Sequence, residues 1–392
     1  MRHESLQRRP DVLVLQGGGA LGAYQAGVYE ALHATGFEPD WVTGISIGAI
    51  NAAIIAGNPP ERRVARLRQF WNLVSSEWLL QPPIPDGRLR QFFNEWAAAG
   101  IMAGGVPGFF RPRSPAEWFC LPDMQPLGVY DTSPLRDTLL ELVDFDRLNE
   151  GAMRFSVGAV NVRTGNFAYF DNRDAGCRIG PEHVMASGAL PPGFPPVMIE
   201  GEAYWDGGLV SNTPLQYVLD GSPQTDLTVY QVDLFHALGD LPTDLAQVLQ
   251  REKDIRYSSR TRMNTDLQQR LEELRLAAAR LVKKLPPELR DDADAQELAH
   301  LPRPGAVHVL HLINRREMFE TQSKDYEFSR ITVDGHWASG LTDAAESIGH
   351  ALWQERGRYR RGIVTYDLTH PDGPQIRCGG ESLDPEELVT NS

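Results

Sequence analysis

Residues 41–57 read WVTGISIGAINAAIIAG, and the rest of the chain can be understood from this segment. Its apolar start predicts a short buried strand, and its small, apolar second half predicts a helix. Between them lies the pattern G-x-S-x-G, with Ser46 flanked by Gly44 and Gly48. In a strand–turn–helix context, a sharp turn exposes the serine oxygen beside the unpaired N–H groups of the helix N-terminus. Ser46 is therefore a candidate nucleophile, although the pattern also arises by chance around ordinary serines.

A glycine-rich segment lies upstream of the serine. Residues 11–16 form a short apolar run that predicts a buried parallel strand, and GGGALG follows at residues 17–22. Strand, glycine loop, helix, strand, serine turn and helix together predict an α/β fold with a mainly parallel sheet. Because no side chain intervenes, the backbone N–H groups of Gly17, Gly18 and Gly19 could approach a substrate carbonyl and form an oxyanion hole.

The same loop also fits a dinucleotide-binding site. Gly17, Gly19 and Gly22 satisfy G-x-G-x-x-G directly after a predicted strand, as in an NAD-linked oxidoreductase. That interpretation needs an acidic residue at the end of the second strand to bind the ribose. Glu38 and Asp40 precede the second apolar run, and the serine turn occupies the place of the acid. We therefore favour the oxyanion interpretation.

A third motif lies further along the chain. Residues 197–205 predict a β-hairpin that ends at Asp206, followed by Gly207 and Gly208. The two glycines leave space around the carboxylate, which could orient and deprotonate a serine; a plain Asp-Gly turn is the commoner meaning of the dipeptide. The segment 186–196 before the hairpin is rich in Pro and Gly and predicts a rigid, extended loop, as the wall of a substrate cleft would need.

The composition narrows the possible functions. The chain has 392 residues, 42% hydrophobic, with a formal net charge of −14. This charge argues against general nucleic-acid binding but allows peripheral contact with a membrane through a local basic or apolar face. Cys120, Cys177 and Cys378 are far apart and suggest neither a disulfide framework nor a metal site. Without a signal-peptide core or a membrane-spanning run, we expect a cytoplasmic protein, able to bind peripherally at the inner membrane.

Residues 59–130 form an irregular insertion that is rich in Pro, Gly and aromatic residues, among them Trp71, Trp78, Trp96 and Trp118. The aromatic rings could form a cap or an interfacial surface that admits an acyl chain. They could equally pack the insertion onto the core, and this is the interpretation that we favour.

The three motifs, in this order, resemble those of the patatin-like phospholipase family over residues 12–219. The resemblance implies a three-layer α/β/α fold with a mainly parallel central sheet and a helical C-terminal extension. It also implies a Ser–Asp dyad that works without cofactor or metal. Carried over to this chain, Ser46 is the nucleophile, Asp206 is the base, and Gly17, Gly18 and Gly19 donate to the oxyanion.

The implied activity is that of a serine lipid acyl hydrolase, of the phospholipase A or lysophospholipase type, with an acyl-enzyme intermediate. A neutral lipid or an intracellular storage polyester is an alternative ester substrate. The motif-supporting glycines are Gly22, Gly44, Gly48, Gly207 and Gly208. One position departs from the family, which often has Arg or Lys where this chain has Leu21, so the substrate's charge preference stays open.

Two other functions are compatible with the motifs. An α/β-hydrolase triad needs a histidine after the acid, and His236, His308, His311, His336 and His350 are available. Against it, the glycine loop precedes the serine by a single βαβ step, and the D-G-G motif follows a hairpin. A catalytically silent membrane or partner scaffold is the second alternative. The sequence leaves the oligomeric state open.

We divide the chain into a catalytic core, residues 1–235, and a C-terminal extension, residues 236–392, which we expect to be helical plus a strand and packed on the core. About 244–285 is predicted as one long helix, and residues 251–284 hold ten basic and five acidic side chains. This helix could dock on an anionic lipid surface or, as we favour, be a solvated helix that covers the core.

Two further segments complete the extension. Residues 324–330 resemble the additional C-terminal region of a bacterial patatin-like subgroup, and the sequence suggests no mechanism for them. Residues after Asp367 are expected to be a loose tail.

Overall fold

The structure is a computed structural model that describes residues 9–75, 100–101, 103–114, 117, 126–221, 226–259, 261–300, 305–315, 324–358, 362–378 and 381–383. Within these residues, an eleven-stranded mixed sheet forms the centre of the molecule, and helices pack on both of its faces. The predicted α/β/α fold with a mainly parallel sheet is confirmed. Much of the 59–130 insertion, including Trp78, Trp96 and Trp118, lies outside the described residues.

The strands of this sheet and of one small accessory hairpin have the following bounds. They are β1 (Asp11–Leu15), β2 (Trp41–Gly44), β3 (Arg111–Pro112), β4 (Tyr130–Asp131), β5 (Arg154–Asn161), β6 (Phe167–Asp171), β7 (Val197–Ile199), β8 (Glu202–Asp206), β9 (Leu227–Asp233), β10 (Ala306–Ile313), β11 (Gly362–Asp367), β12 (Gln375–Cys378) and β13 (Glu381–Leu383). The strands β3 and β4 pair only with each other, and all the others belong to the central sheet.

Six strands in the order β11-β10-β9-β1-β2-β5 run parallel, and antiparallel strands extend the sheet on both sides. From β1 the chain continues to β2 and β5 on one side and later returns to β9, β10 and β11 on the other. In such sheets, ligands bind in the crevice at the carboxyl ends of the strands, where the strand order reverses. Leu15 of β1 lies opposite Gly44 of β2 and Val232 of β9, so this crevice receives the glycine loop and the serine turn together.

The helices in the described residues have the following bounds. They are α1 (Ala23–Ala34), α2 (Ile47–Ala56), α3 (Pro60–Val74), α4 (Ser133–Leu142), α5 (Phe145–Glu150), α6 (Pro181–Ser187), α7 (Leu215–Gly221), α8 (Leu245–Tyr257), α9 (Thr261–Val282), α10 (Pro287–Arg290), α11 (Ala293–His300), α12 (Arg330–Gly349) and α13 (Ala351–Gln354).

Both faces of β1 are buried, as its apolar sequence requires. Leu13 and Leu15 join the hydrophobic core that includes α1 and α2, whereas Val12 and Val14 join a second core with α7. Successive side chains on a strand point to opposite faces, so one short run supplies both cores. Burying each such side chain stabilises the fold by about 1.5–3 kcal/mol.

The C-terminal region packs on the core through α12. A Cβ atom added to Gly27 of α1 would lie 1.9 Å from the Trp337 carbonyl oxygen, and one added to Gly340 would lie 2.0 Å from the Tyr24 carbonyl oxygen. The two helices therefore touch backbone to backbone, which only glycine permits at these positions. The Tyr24 hydroxyl also donates a 2.9 Å hydrogen bond to Asp343.

Three expectations about the C-terminal region were wrong. The predicted long helix is two helices, α8 and α9, which are separated at Ser258 and Ser259. The region adds four strands, β10 to β13, to the central sheet, rather than one. The residues after Asp367 include β12 and β13, because β12 pairs with the edge of β11 and β13 pairs with β12, both in an antiparallel arrangement. In the described part of the chain, none of the helices has the length and apolar character needed to span a bilayer.

Candidate active site

Ser46 lies at the tip of a strained turn between β2 and α2. Its φ of +55° and ψ of −122° form a backbone conformation that non-glycine residues rarely adopt. The flanking glycines allow the turn, since a Cβ atom on Gly44 would lie 2.3 Å from the Gly48 carbonyl oxygen, and one on Gly48 would lie 2.4 Å from the Leu15 carbonyl oxygen. The geometry is that of a serine raised on a nucleophile elbow.

A second serine, Ser187 at the end of α6, fixes the turn. The Ser46 N–H donates to Ser187 Oγ over 3.0 Å, and the Ser187 hydroxyl donates to the Gly158 carbonyl oxygen of β5 over 2.6 Å. Ser187 is fully buried, so water does not compete for these bonds. The sequence placed Ser187 in a cleft wall but offered no sign of this contact.

Asp206 ends β8 and is only 3% exposed. The Ser46 side chain lies close enough to its carboxylate to lower the pKa of the carboxyl group, and the carboxylate accepts a 2.7 Å bond from the Gly208 N–H. Gly207 must lack a side chain, because a Cβ atom there would lie 2.7 Å from the Gly158 carbonyl oxygen. The structure therefore brings together the two residues predicted as the dyad.

Burial raises the pKa of Asp206 to about 7, even though its bonds from Gly208 and Ser46 act in the opposite direction. An ordinary carboxylate, with a pKa near 4, is a poor acceptor for a serine proton at neutral pH. A carboxylate with a pKa close to the working pH is a stronger base while still being substantially ionised. Such a perturbed group in a cleft is typical of a functional site.

The glycine loop faces the serine from the end of β1. A Cβ atom on Gly17 would lie 3.1 Å from Ser46 Cβ, so the loop approaches the serine closely. The Gly17 N–H, however, donates to the Asn212 carbonyl oxygen over 3.2 Å. Among the described residues, the N–H groups of Gly18 and Gly19 donate no such backbone hydrogen bond. These two are the donors that the loop has available for a substrate, and the predicted oxyanion role of Gly17 is weakened.

Two other loop positions have structural roles. Gly22 packs on the helix after the serine, since a Cβ atom there would lie 2.5 Å from Ile47 Cγ1. Leu21, where the resembled family often has a basic residue, is fully buried in the core. Its side chain is therefore packed in the protein interior rather than presented to a substrate.

A cleft with about 680 Å³ of empty space, part of it open to solvent, extends from Ser46 and Asp206. Its walls are mainly apolar and aromatic. The ring centroids of Phe109 and Phe194 are 6.0 Å apart, and those of Phe109 and Phe328 are also 6.0 Å apart. Phe109 comes from the insertion, Phe194 from the loop 186–196 and Phe328 from the C-terminal region. The insertion thus supplies a wall of the cleft as well as packing on the core. The interpretation that we favoured from the sequence included only the packing.

Sequence reasoning missed a residue that ties the site together. The side-chain amide of Asn212, which lies shortly before α7, donates to the carbonyl oxygens of Gly17 (3.0 Å) and Tyr257 (2.9 Å). The buried Gln16 likewise donates to the Tyr257 carbonyl oxygen over 3.0 Å. These contacts join residues that are far apart in sequence, so no local pattern announces them.

The other candidate chemistries lack their required groups here. None of the described histidines lines the cleft, and His311 instead contacts Asp233 at the end of β9. Glu38 and Asp40 precede β2 and therefore lie at the end of that strand away from Ser46, where no ribose bound at the loop could reach them. In the part of the chain that the structure describes, no cluster of His, Cys, Asp and Glu could hold a metal ion.

Comparison with known families shows which family the chain belongs to. The family model described as Patatin-like phospholipase matches residues 13–219, which is more than half of the chain. The chain belongs to the patatin-like phospholipase family. The match spans the glycine loop, Ser46 and Asp206. A second family model, described as Patatin phospholipase, matches residues 255–359 of this patatin-like protein.

The individual matches are either short or low in sequence identity. The chain is 36% identical to Neuropathy target esterase sws of Drosophila melanogaster and of Drosophila sechellia over 69 residues, which are 18% of this chain and 5% of each of those proteins. Among solved structures, VipD from Legionella pneumophila has 14% identity and a TM-score of 0.37, covering 87% of this chain and 66% of that one. The type III effector ExoU, known from Pseudomonas aeruginosa, has 12% identity and a TM-score of 0.33, with 90% and 54% covered. Family membership rests on the family models alone.

Proposed function

We propose that this patatin-like protein is a serine lipid acyl hydrolase, of the phospholipase A or lysophospholipase type, with Ser46 and Asp206 as its catalytic dyad. The observation that carries the proposal is that Ser46, on its strained turn, and a buried carboxylate whose pKa is about 7 line the same cleft and interact with each other. Acyl transfer needs three parts, and the cleft holds a candidate for each: a serine on a strained turn, a base beside it and backbone donors.

The reaction proceeds in two steps. Ser46 Oγ attacks the ester carbonyl carbon as its proton passes to Asp206, and the resulting oxyanion is stabilised by the N–H groups of Gly18 and Gly19. The tetrahedral intermediate collapses to an acyl-Ser46 enzyme, and the departing alcohol takes the proton from Asp206. A water molecule then attacks the acyl-enzyme, gives its proton to Asp206, and releases the fatty acid as Ser46 regains the proton.

The oxyanion donors supply much of the rate. Each well-placed backbone donor is worth on the order of 3 kcal/mol of transition-state stabilisation. Their effect is large because the aromatic walls exclude water and lower the local dielectric constant. The same walls suit an acyl chain, because burying its methylene groups there stabilises binding. Phospholipids, neutral lipids and storage polyesters all present such chains.

Exposed apolar side chains that are close in sequence to residues of the cleft support our proposal of peripheral membrane contact, at the inner membrane of a cytoplasmic protein. Leu209 and Val210 directly follow the Asp206-Gly207-Gly208 motif, and Ile255 lies two residues before Tyr257 of the cleft wall. All three are about half exposed or more. Four leucines of α9 are also exposed, which agrees poorly with the favoured interpretation of a helix that covers the core; they are Leu267, Leu271, Leu274 and Leu281.

Turnover by matched variants tests the proposed chemistry. Wild type, Ser46→Ala and Asp206→Asn are compared on p-nitrophenyl esters of several chain lengths, together with labelling by a fluorophosphonate probe. We expect wild type to turn over and to be labelled at Ser46, and both variants to lose turnover. Unchanged turnover in Ser46→Ala would refute the proposal. Hydrolysis products from defined phospholipid, lysophospholipid, triacylglycerol and polyester substrates then distinguish the ester class.

The membrane proposal has its own control. Val210→Ser and Ile255→Ser should weaken binding to lipid vesicles, as measured by co-sedimentation, and leave hydrolysis of a short water-soluble ester unchanged. Leu140→Ser alters a similarly exposed leucine on α4, which is not among the residues that line the cleft, and should bind vesicles like wild type. Equal vesicle binding by all of the variants would exclude this surface as the point of contact.

A further inference from the structure

A segment of the C-terminal region lines the cleft without an assigned role. Asp325, Tyr326 and Phe328 face the cleft together with the three loop glycines. They lie within residues 255–359, the second family match, and outside residues 13–219, which carry the dyad. The contacts of this segment with the glycine loop indicate what it does.

Asp325 touches the glycine loop through its backbone. Its carbonyl oxygen accepts a 2.9 Å hydrogen bond from the N–H of Ala20, the residue after Gly19. A Cβ atom on Gly19 would lie 2.1 Å from this same oxygen. The loop and the C-terminal segment are therefore in direct contact at a proposed oxyanion donor, so a shift of Asp325 would shift that donor.

Two reciprocal ion pairs hold Asp325 in place. The helix α8 carries Lys253 and Asp254 in succession, and the C-terminal segment carries Lys324 and Asp325 in the same order. Lys253 Nζ lies 2.7 Å from Asp325 Oδ1, and Lys324 Nζ lies 2.8 Å from Asp254 Oδ1. The second pair is almost completely buried, and the first is mostly so. Separating either pair would leave a charge buried without its partner, which is strongly unfavourable.

The helix α8 is in turn tied to the catalytic side of the loop. The carbonyl oxygen of its last residue, Tyr257, accepts hydrogen bonds from Asn212 and Gln16. Asn212 also holds the Gly17 carbonyl oxygen. The loop is thus held at Gly17 through α8 and at Ala20 through Asp325, and the two ion pairs join these two supports.

The charge state of Asp325 depends on its partner. Burial raises the pKa of Asp325, and the ammonium group of Lys253 acts against this rise. Removing the lysine would therefore favour the protonated carboxyl group and release the segment from α8.

We propose that Lys253 and Asp325, together with the pair Lys324 and Asp254, are positioning residues that place the Gly18 and Gly19 N–H groups for the oxyanion. The proposal rests on the Ser46 hydrolase function proposed above. On this account the C-terminal region is a working part of the acyl-transfer site. It supports the oxyanion loop at Gly19 and Ala20, and it is required for turnover as well as for folding.

The test uses the full chain with Lys253→Met, which removes the charge and keeps a long apolar side chain. Since oxyanion contacts strengthen mainly in the transition state, kcat on p-nitrophenyl butyrate should fall about 10- to 100-fold while KM changes less than about threefold. The affinity for an alkyl trifluoromethyl ketone, which forms a tetrahedral adduct with the serine, should fall by a similar factor. Lys253→Arg keeps the cation and should restore both values.

Arg315→Met is the matched control, because Arg315 forms a partly buried pair with Asp367 at 3.0 Å elsewhere in the C-terminal region. It should lower the urea midpoint and leave kcat and ketone affinity unchanged. If Lys253→Met is insoluble, Lys253→Gln, which keeps a donor, replaces it.

A folded Lys253 variant with wild-type kcat and ketone affinity would overturn the proposal, as would an equal loss in Arg315→Met. If the wild-type enzyme neither turns over nor is labelled at Ser46, the hydrolase function itself fails. These outcomes are distinguishable, because the positioning proposal fails only when wild type is active.

Discussion

Replacing Asp206 by Asn should abolish turnover and, at alkaline pH, make the protein more stable. The carboxylate is buried and its pKa is raised from 3.8 to about 7 by that burial. Folding therefore brings an ionised group into a place where its neutral form is favoured. Asn has nearly the same shape, can still accept the Gly208 hydrogen bond, and carries no charge. A functional carboxylate thus reduces stability, as is common at active sites.

The size of this stability difference follows from the linkage between proton binding and folding. Between pH 3.8 and 7 the folded protein binds a proton at Asp206 that the unfolded chain releases, so stability falls as pH rises through this window. At 1.36 kcal/mol per pH unit, the difference of about 3 units (7 − 3.8) gives the Asn variant an advantage of up to about 4 kcal/mol above pH 7. The advantage should be only about 1.5 kcal/mol at pH 5 and should vanish below pH 4.

Urea unfolding of wild type and Asp206→Asn at pH 5 and pH 8 measures this difference. Ser46→Ala is the control, because it removes activity and leaves the buried carboxyl group in place. We expect the midpoint of Asp206→Asn to exceed that of wild type by more at pH 8 than at pH 5. An advantage that does not change with pH, or a variant less stable than wild type at pH 8, would refute the assignment of Asp206 as a buried base with a raised pKa.

Three other predictions follow. The kcat/KM of wild type should rise as pH increases through about 7 and then level off, because only ionised Asp206 accepts the serine proton; a flat profile from pH 5 to 9 would contradict this. Gly19→Ala should lower kcat at least about 100-fold, because the added methyl group would displace the oxyanion donor. Gly36 also has a positive φ but lies in open space, so Gly36→Ala should only cost roughly 1 kcal/mol of stability. Ester turnover and urea unfolding of both variants test this difference. Ser187→Ala should lower the free energy of unfolding by about 1–3 kcal/mol by leaving the partly buried Ser46 N–H without its acceptor, and an unchanged urea midpoint would contradict it.

The sequence predicted best those parts of the structure that are formed by residues close together in the chain. The segments around Gly17, Ser46 and Asp206 each combine a strand end with a turn that needs glycine, so each could be predicted without knowledge of the rest of the fold. The meeting of the first two followed from one rule, that the carboxyl ends of parallel strands lie at one edge of the sheet. Asp206 reaches the site differently, at the end of β8, which runs antiparallel to β5. The predicted α/β/α layers were confirmed for the same reason, since short apolar strands alternate with helices.

Long-range contacts were not predictable in this way. Asn212 and Asp325 act on the glycine loop from residues far along the chain, and Asp325 does so through a carbonyl oxygen, which every residue type possesses. The strand β12 was missed because it is a short, half-polar strand whose formation depends on pairing with β11. Neither kind of contact leaves a periodic or compositional signal in a single sequence.

The central claim is that Ser46 carries the acyl group during turnover. Wild type mixed with a long-chain p-nitrophenyl ester and quenched in acid within the first turnover should gain the mass of one acyl group. Peptide mapping should place that group on Ser46. Ser46→Ala should show no adduct and no burst of nitrophenol, and Asp206→Asn should form the adduct far more slowly. An acyl group on any other residue, or a full burst from Ser46→Ala, would contradict the account.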